Sequence, residues 1–118
     1  MEATRPPEAA DRDALATEFT EPVVVKVDPV IADLVPGYLK ARREEVQRIS
    51  AAVQNADLGE LQLIGHRLKG SGAGYGFPDI TRLGAAIEDG AGAGDLAAVV
   101  RAVRGLVSYL DAVRLVMP

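Results

Sequence analysis

The chain has 118 residues, of which 48% are apolar and 25% are charged, and its formal net charge is −4 at pH 7. This length and apolar fraction are typical of one soluble globular domain. Because the sequence contains no cysteine and one histidine, it excludes disulfides, cysteine nucleophiles and zinc sites that need several Cys or His ligands. The acidic balance argues against nucleic-acid binding, which requires a dense basic surface.

The sequence also argues against a membrane protein. Its apolar runs are only a few residues long, too short to span a bilayer. Residues 1–7 lack the basic and then apolar pattern of a secretion signal. We therefore expect a cytoplasmic protein with no membrane segment.

Residues 1–28 are predicted to be an N-terminal extension, extended or partly disordered, that precedes the main domain at residues 29–118. The extension contains Pro6, Pro7 and Pro22, several acidic residues and a β-branched run at residues 23–27. That run shows no strand partner elsewhere in the sequence, so we predict an extended arm rather than part of a sheet.

Helix signals begin at Asp28, which precedes Pro29 as an N-cap precedes a proline at the first helical position. We predict a short helix from there to about Val35. Residues 36–37, Pro-Gly, interrupt it, and a longer helix is expected to continue to about Asn55.

The next helix is predicted from Leu58 to about Tyr75. Asp57 and Glu60 have the spacing of a capping box at its start. Gly76 is the expected left-handed terminator.

Two further helices follow. Residues 77–78, Phe-Pro, begin one that ends among Gly90, Gly92 and Gly94, and Asp95 caps the last, which is expected to run to near Met117. Four amphipathic helices with short connections predict an all-α fold, an up-down antiparallel four-helix bundle with a short extra N-terminal helix and the extended arm. We expect a monomer, since no helix shows a second long apolar stripe.

The one histidine, His66, falls on the solvent side of its helix. On a helical wheel it lies roughly 140° from Leu61. The buried stripe of the wheel consists of Leu61, Ile64, Leu68, Gly72 and Tyr75. A position in the core is therefore excluded for His66, and Lys69 lies one turn beyond it on the same exposed side.

Glycines crowd the same helix, although an interior glycine costs up to roughly 1 kcal/mol relative to alanine. Close helix packing accounts for Gly65 and Gly72, which fall on the buried side. Gly70 falls on the exposed side, where it would give a partner macromolecule close access to His66. Neither the P-loop pattern nor the dinucleotide-binding glycine pattern is satisfied here.

These residues resemble a known family. His66, Leu68, Lys69, Gly70 and Ser71, followed by Gly76 and then by Leu83, Ile87 and Glu88 on the next helix, match the motif of the histidine-containing phosphotransfer domain of two-component phosphorelays. The resemblance covers about residues 29–118. The segment is also similar to the phosphoacceptor domain of chemotaxis-type histidine kinases.

The resemblance implies that His66 accepts a phosphoryl group from the phospho-aspartate of a response-regulator receiver domain and passes it to another receiver, with a hybrid histidine kinase as a possible partner. Lys69 would balance the charge of the phosphoryl oxygens, and Gly70 would give the receiver clearance. Glu88, at the edge of the helix interface, or Gln62 as the weaker candidate, would hold Nδ1 and leave Nε2 as the nucleophile. No cofactor of its own is implied, because the receiver supplies magnesium.

Two alternatives remain open from the sequence. The domain could be the phosphoacceptor piece of a chemotaxis-type kinase, phosphorylated by a kinase core. It could also be a helical interaction module that docks a partner through its exposed small residues without being phosphorylated.

Overall fold

A computed structural model describes residues 19–118 of the chain. The helices are α1 (Val35–Gln54), α2 (Leu58–Ser71), α3 (Pro78–Gly92) and α4 (Leu96–Ala112), and the strands are β1 (Val23–Lys26) and β2 (Val113–Val116). Two 3₁₀ turns, Pro29–Ile31 and Ala73–Tyr75, precede α1 and follow α2. Of the predicted N-terminal extension, residues 1–18 lie outside the described residues.

The predicted N-caps of α2 and α4 are present. Asp57 Oδ1 accepts a hydrogen bond from the Glu60 nitrogen at 3.1 Å, and Asp95 Oδ1 accepts one from the Ala98 nitrogen at 3.0 Å. The Glu60 side chain does not turn back to complete the capping box. Its Oε2 instead accepts two hydrogen bonds from Arg48 of α1, at 2.8 and 2.9 Å, so the first turn of α2 is tied to α1.

The segment before α1 differs in detail from the prediction. Asp28 Oδ1 accepts from the Val30 nitrogen at 2.9 Å, but the residues that follow form only the 3₁₀ turn Pro29–Ile31, where the sequence predicted a short helix. The longer helix begins at Val35 and contains Pro36 in its first turn. A proline is tolerated there because its missing N–H would have had no partner within the helix.

α2 ends at Ser71, before the predicted end near Tyr75, but the turn after it has the predicted left-handed residue. Gly76 adopts φ +95°, directly after the 3₁₀ turn Ala73–Tyr75. Pro78 then starts α3, so only residues 72–77 connect the two helices. Because the connection is this short, α3 must run back along α2.

The helices enclose one hydrophobic core. Along α1 from Tyr38 to Arg48, the α2 partners run backward from Ser71 to Glu60, so this pair is antiparallel. Arg43 of α1 donates to the carbonyl oxygen of Leu110 in α4 at 3.1 Å. The large side chains buried at the centre are Leu39, Ile49, Leu61, Ile64, Leu68, Phe77, Ile80, Leu83, Ile87, Leu106 and Tyr109. The full up-and-down order of the four helices stays a prediction.

The sheet corrects two sequence predictions. β1 pairs in parallel with β2, with Val23 opposite Val113, and the Val27 nitrogen donates to the Val116 oxygen at 2.9 Å. The expectation that the β-branched run has no strand partner is therefore wrong. The expectation that the last helix continues to near Met117 is also wrong, because α4 ends at Ala112. Along β2, successive side chains alternate between more buried and exposed positions. This period of two is typical of a strand and not of a helix.

Within residues 19–118, no helix is both long enough and apolar enough to cross a membrane.

Candidate functional site

His66 projects from the outer face of α2. Leu61, Ile64 and Leu68 of the same helix are buried in the core, whereas the His66 side chain is 69% exposed. The outward histidine of the helical wheel is thus present, and so is the buried stripe, except that Tyr75 is only partly buried and lies in the 3₁₀ turn beyond the helix. The imidazole is accessible to another macromolecule without any rearrangement of the bundle.

The backbones of α2 and α3 touch behind this histidine. A Cβ added at Gly65 would lie 2.5 Å from the Glu88 nitrogen, and one added at Gly84 would lie 2.5 Å from the Lys69 nitrogen. A Cβ at Gly72 would lie 2.6 Å from another backbone nitrogen of α3. Side chains do not tolerate such distances, so all three positions require glycine. The packing role predicted for Gly65 and Gly72 is confirmed, and Gly84 supplies its counterpart on the facing helix.

This close contact brings Glu88 of α3 to His66. Glu88 Oε2 lies 2.8 Å from His66 Nδ1, and Glu88 Oε1 lies 3.4 Å from Lys69 Nζ. The Glu88 side chain is only 19% exposed, whereas that of Lys69 is 51% exposed. One partly buried carboxylate therefore contacts both the imidazole and the ammonium group, at the edge of the interface where the sequence placed it.

The electrostatics fix the direction of the hydrogen bond. The bond from His66 is the main cause that lowers the pKa of Glu88 below its usual value; partial burial opposes the shift, and contact with Lys69 adds to it. Glu88 is therefore an ionised carboxylate at neutral pH, and an ionised carboxylate can only accept. It follows that Nδ1 carries the proton, and that a neutral ring presents the lone pair of Nε2.

Gly70 and Gln62 were the other candidates from the sequence. A Cβ added at Gly70 would meet no atom within 4 Å, so this position faces open space. Gln62 is not the acceptor of the hydrogen bond from the imidazole, which Nδ1 donates to Glu88. The Gln62 side chain lies beside Gly92 instead, where its Nε2 would be 3.1 Å from a Cβ added to that glycine. Gln62 still borders the site, since it lines a shallow cavity of about 280 Å³ with Gly59, Leu63, His66 and Glu88.

Thr81 of α3 is a supporting residue that sequence reasoning missed. Its Oγ1 donates to the Lys69 carbonyl oxygen at 3.1 Å and accepts from the Ala73 nitrogen at 2.8 Å. It thereby satisfies backbone groups at the end of α2, which have no partner within the helix. A single threonine carries no sequence signal for this role, because the role depends on how the two helices align.

A second contact that the sequence did not reveal holds the other side of the same turn. Tyr38 of α1 and Ser71 share a hydrogen bond of 2.8 Å between their hydroxyl oxygens. The Tyr38 ring stacks on that of Tyr75, with centroids 4.2 Å apart and planes 12° apart. The glycine-rich turn after Lys69 is therefore fixed to α1 as well as to α3.

The backbone contact predicts opposite effects for two Gly→Ala substitutions in α2. Gly65→Ala should lower the free energy of unfolding by about 1–3 kcal/mol, the usual cost of overpacking. Gly70→Ala, the matched control, should raise it by up to about 1 kcal/mol, because the added methyl group meets nothing and alanine favours the helix. Urea denaturation followed by circular dichroism measures both, and equal effects of the two substitutions would contradict the close contact.

The pKa of Glu88 should report on both of its partners. In a carbon-13 NMR titration, Glu88 should titrate below its usual value of 4.5. His66→Ala should raise this pKa most, and Lys69→Ala should raise it less, following the order of the two contributions. Because the folded-state pKa is lowered, the stabilisation from this contact is present above the unfolded-state pKa and is lost as the pH falls through the folded-state pKa. An unchanged Glu88 pKa in His66→Ala would show that the hydrogen bond does not form in solution.

Comparison with known families identifies the domain that carries this site. The Hpt domain family model matches residues 33–115, which include all four helices together with His66, Lys69, Gly70 and Glu88. No curated protein and no solved structure matched the chain. Since the family match covers well over half of the sequence, the chain belongs to the Hpt domain family and has a histidine phosphotransfer role in two-component signalling.

Proposed function

We propose that His66 carries the phosphoryl group, accepting it from the phospho-aspartate of one receiver domain and passing it to a second. The observation that supports this best is the 2.8 Å contact between Glu88 Oε2 and Nδ1 of a side chain that is 69% exposed. With Nδ1 engaged, Nε2 is the nitrogen left for chemistry. A nucleophile needs an available lone pair and an unobstructed approach, and Nε2 has both.

Bonds and electron pairs balance in the proposed transfer, and no proton has to move. The lone pair of His66 Nε2 attacks phosphorus, the N–P bond forms, and the P–O bond to the aspartate breaks. The electron pair of that bond leaves with the aspartate carboxylate. Nδ1 keeps its proton, so the phosphorylated ring gains positive charge, and the ionised Glu88 next to it offsets that charge. Onward transfer reverses these steps on the second receiver.

Lys69 and Gly70 would serve the same step from the exposed side of α2. The Lys69 ammonium lies one turn beyond His66 and is half exposed, so it can approach the phosphoryl oxygens and balance their charge. Gly70 presents no side chain there, which gives the receiver room to bring its phosphorylated loop close to the imidazole.

The receiver would supply the remaining parts of the active site. Hpt domains interact with receiver domains, and we assign the magnesium ion and the acidic residues that bind it to that partner. A receiver of a hybrid histidine kinase is one donor of this class. The monomeric state and the cytoplasmic location expected from the sequence stay predictions.

Phosphotransfer from a receiver is the direct test. When the chain is mixed with a receiver phosphorylated on aspartate, it should acquire acid-labile, alkali-stable phosphate, as expected for phosphohistidine. His66→Gln should acquire none, because glutamine offers no nucleophilic nitrogen in that place. The radiolabel on each protein is followed by gel electrophoresis.

Two outcomes would contradict the proposal. Label that appears on His66→Gln at the unchanged rate would exclude His66 as the acceptor. Label that arrives from a histidine kinase core but from no phosphorylated receiver would identify the domain as a kinase phosphoacceptor instead.

Lys69 should affect the rate of phosphoryl transfer but not which residue accepts the phosphoryl group. Lys69→Ala should slow transfer about tenfold, equivalent to roughly 1.4 kcal/mol of transition-state stabilisation, since the half-exposed ammonium is partly screened by water. Arg67→Ala, which removes an exposed cation from the neighbouring face of α2, is the matched control and should change the rate less than about twofold. An equal loss of transfer rate in the two variants would show that the rate depends on net charge and not on the position of Lys69.

A further inference from the structure

Release of a phosphoryl group from His66 depends on the proton at Nδ1. When the N–P bond breaks, its electron pair returns to Nε2, and the phosphoryl group passes to an aspartate oxygen of a receiver or to water. With a proton on Nδ1, the departing ring is neutral imidazole. Without that proton it is imidazolate, which is a strong base and therefore a poor leaving group. A phosphorylated ring that loses the Nδ1 proton thus keeps its phosphoryl group.

Glu88 is the group in contact with this proton. Its Oε2 lies 2.8 Å from His66 Nδ1, and besides His66 it is the one ionisable residue among those that line the cavity beside the ring. The hydrogen bond from His66 lowers the pKa of Glu88. The carboxylate is therefore ionised at neutral and alkaline pH, where the phosphorylated ring would lose its proton.

The carboxylate is held in place by the packing of α3 on α2. A Cβ added at Gly65 would lie 2.5 Å from the backbone nitrogen of Glu88 and 3.0 Å from its Cα. The Glu88 side chain is 19% exposed, whereas that of His66 is 69% exposed. Nδ1 is therefore bonded to a sheltered and fixed group, although the ring as a whole is open to a partner.

The other ionic groups on the helices around the ring do not hold this proton. α2 supplies two cations, Arg67 and Lys69, and positive charge nearby disfavours a positively charged ring. α3 also supplies Asp89, which is exposed. Arg48 of α1 is paired with Glu60 at 2.8 Å, so the two add no net charge. Without the carboxylate at Nδ1, the charges contributed by α2 would favour loss of the proton.

We propose that Glu88 keeps the proton on Nδ1 of the phosphorylated ring and thereby sets the upper limit of the pH range in which the chain releases its phosphoryl group. The inference rests on the proposed phosphorylation of His66. It gives Glu88 a role beyond orienting the ring, and this role requires negative charge. The amide of Glu88→Gln could accept the same hydrogen bond and orient the imidazole, but it could not offset the positive charge.

The decay of chemically phosphorylated protein tests this role without a receiver. Phosphoramidate, a small phosphoryl donor, is used to label His66 of the full-length chain, and phosphorus-31 NMR follows the loss of phosphohistidine as a function of pH. Decay should be fast in acid and slow in alkali. We expect the midpoint to lie about one pH unit lower in Glu88→Gln than in the unsubstituted chain, since an opposite charge partly screened by water is removed.

Asp89→Asn is the matched control. It removes a carboxylate from the next residue of the same helix and changes the net charge by the same amount. Because Asp89 is exposed, its substitution should shift the midpoint by less than about 0.3 pH unit.

Transfer from the phosphorylated chain to a receiver should show the same pH dependence. The rate for Glu88→Gln is divided by the rate for the unsubstituted chain, which cancels the pH dependence of the receiver itself. The ratio should be near one in acid and should fall about tenfold in alkali, as a midpoint shift of about one pH unit requires. Poor orientation of the ring would instead lower the ratio equally at every pH.

The possible outcomes separate this inference from the proposed function. Equal midpoints in Glu88→Gln and the unsubstituted chain, or equal shifts in Glu88→Gln and Asp89→Asn, would overturn the inference and leave the relay role intact. If phosphoramidate labels His66 but phosphorylated receivers do not, the proposed function fails and the decay data still decide the inference. Failure of phosphoramidate to label His66 would contradict the reactive Nε2 on which both depend. Nitrogen-15 NMR of the phosphorylated ring reports the protonation of Nδ1 directly, and circular dichroism verifies that each variant is folded.

Discussion

The backbone contact between α2 and α3 determines where every group of the candidate site lies. Gly65 and Gly84 face each other with no room for a methyl group on either. Glu88 follows Gly84 by one turn, so its short side chain can reach His66 only because the helices are this close. A larger residue at either glycine would separate the helices, and a separation of even 1 Å would break a hydrogen bond of 2.8 Å. Each glycine costs up to about 1 kcal/mol of helix stability. The glycines are nevertheless needed, because the close contact that they allow holds the imidazole against Glu88.

Glu88 links this packing constraint to the chemistry. Its two oxygens contact two different donors, His66 on one side and Lys69 on the other, and both donors extend into solvent. Charge interactions in such an exposed site are weakened by water, so the chain alone provides little beyond orientation and one nearby carboxylate. That division suits the proposed phosphocarrier role, in which a reactive phosphoryl group needs an enclosed, strongly charged environment only while a receiver is bound.

Much of the architecture could be predicted from the sequence because its signals are local. The capping residues Asp57 and Asp95 bond to nitrogens three residues away, and the outward position of His66 follows from the period of one helix. What could not be predicted depends on residues far apart in the chain. β1 and β2 are separated by the whole bundle, and Val113 continues the helical spacing of Leu106 and Leu110, which concealed the end of α4.

Thr81 and Ser71 escaped prediction for the same reason. Each serves the turn after α2 through a partner on another helix: Thr81 through the Lys69 carbonyl, and Ser71 through Tyr38. A hydroxyl group has no periodic pattern that marks it for such a contact. The glycine at position 84 is similar, because its role becomes visible only when α3 is aligned with α2.

The α2–α3 side and the α1–α4 side of the bundle are packed differently. Glycines at 65, 72 and 84 let the backbones of α2 and α3 touch, whereas α1 and α4 leave a groove of about 740 Å³ between them, lined in part by Ser50 and Val107. On the α1–α4 side, the Phe19 ring packs edge-on against Tyr109, with centroids 5.0 Å apart. The surface that presents His66 therefore depends on the glycines that let α2 and α3 touch.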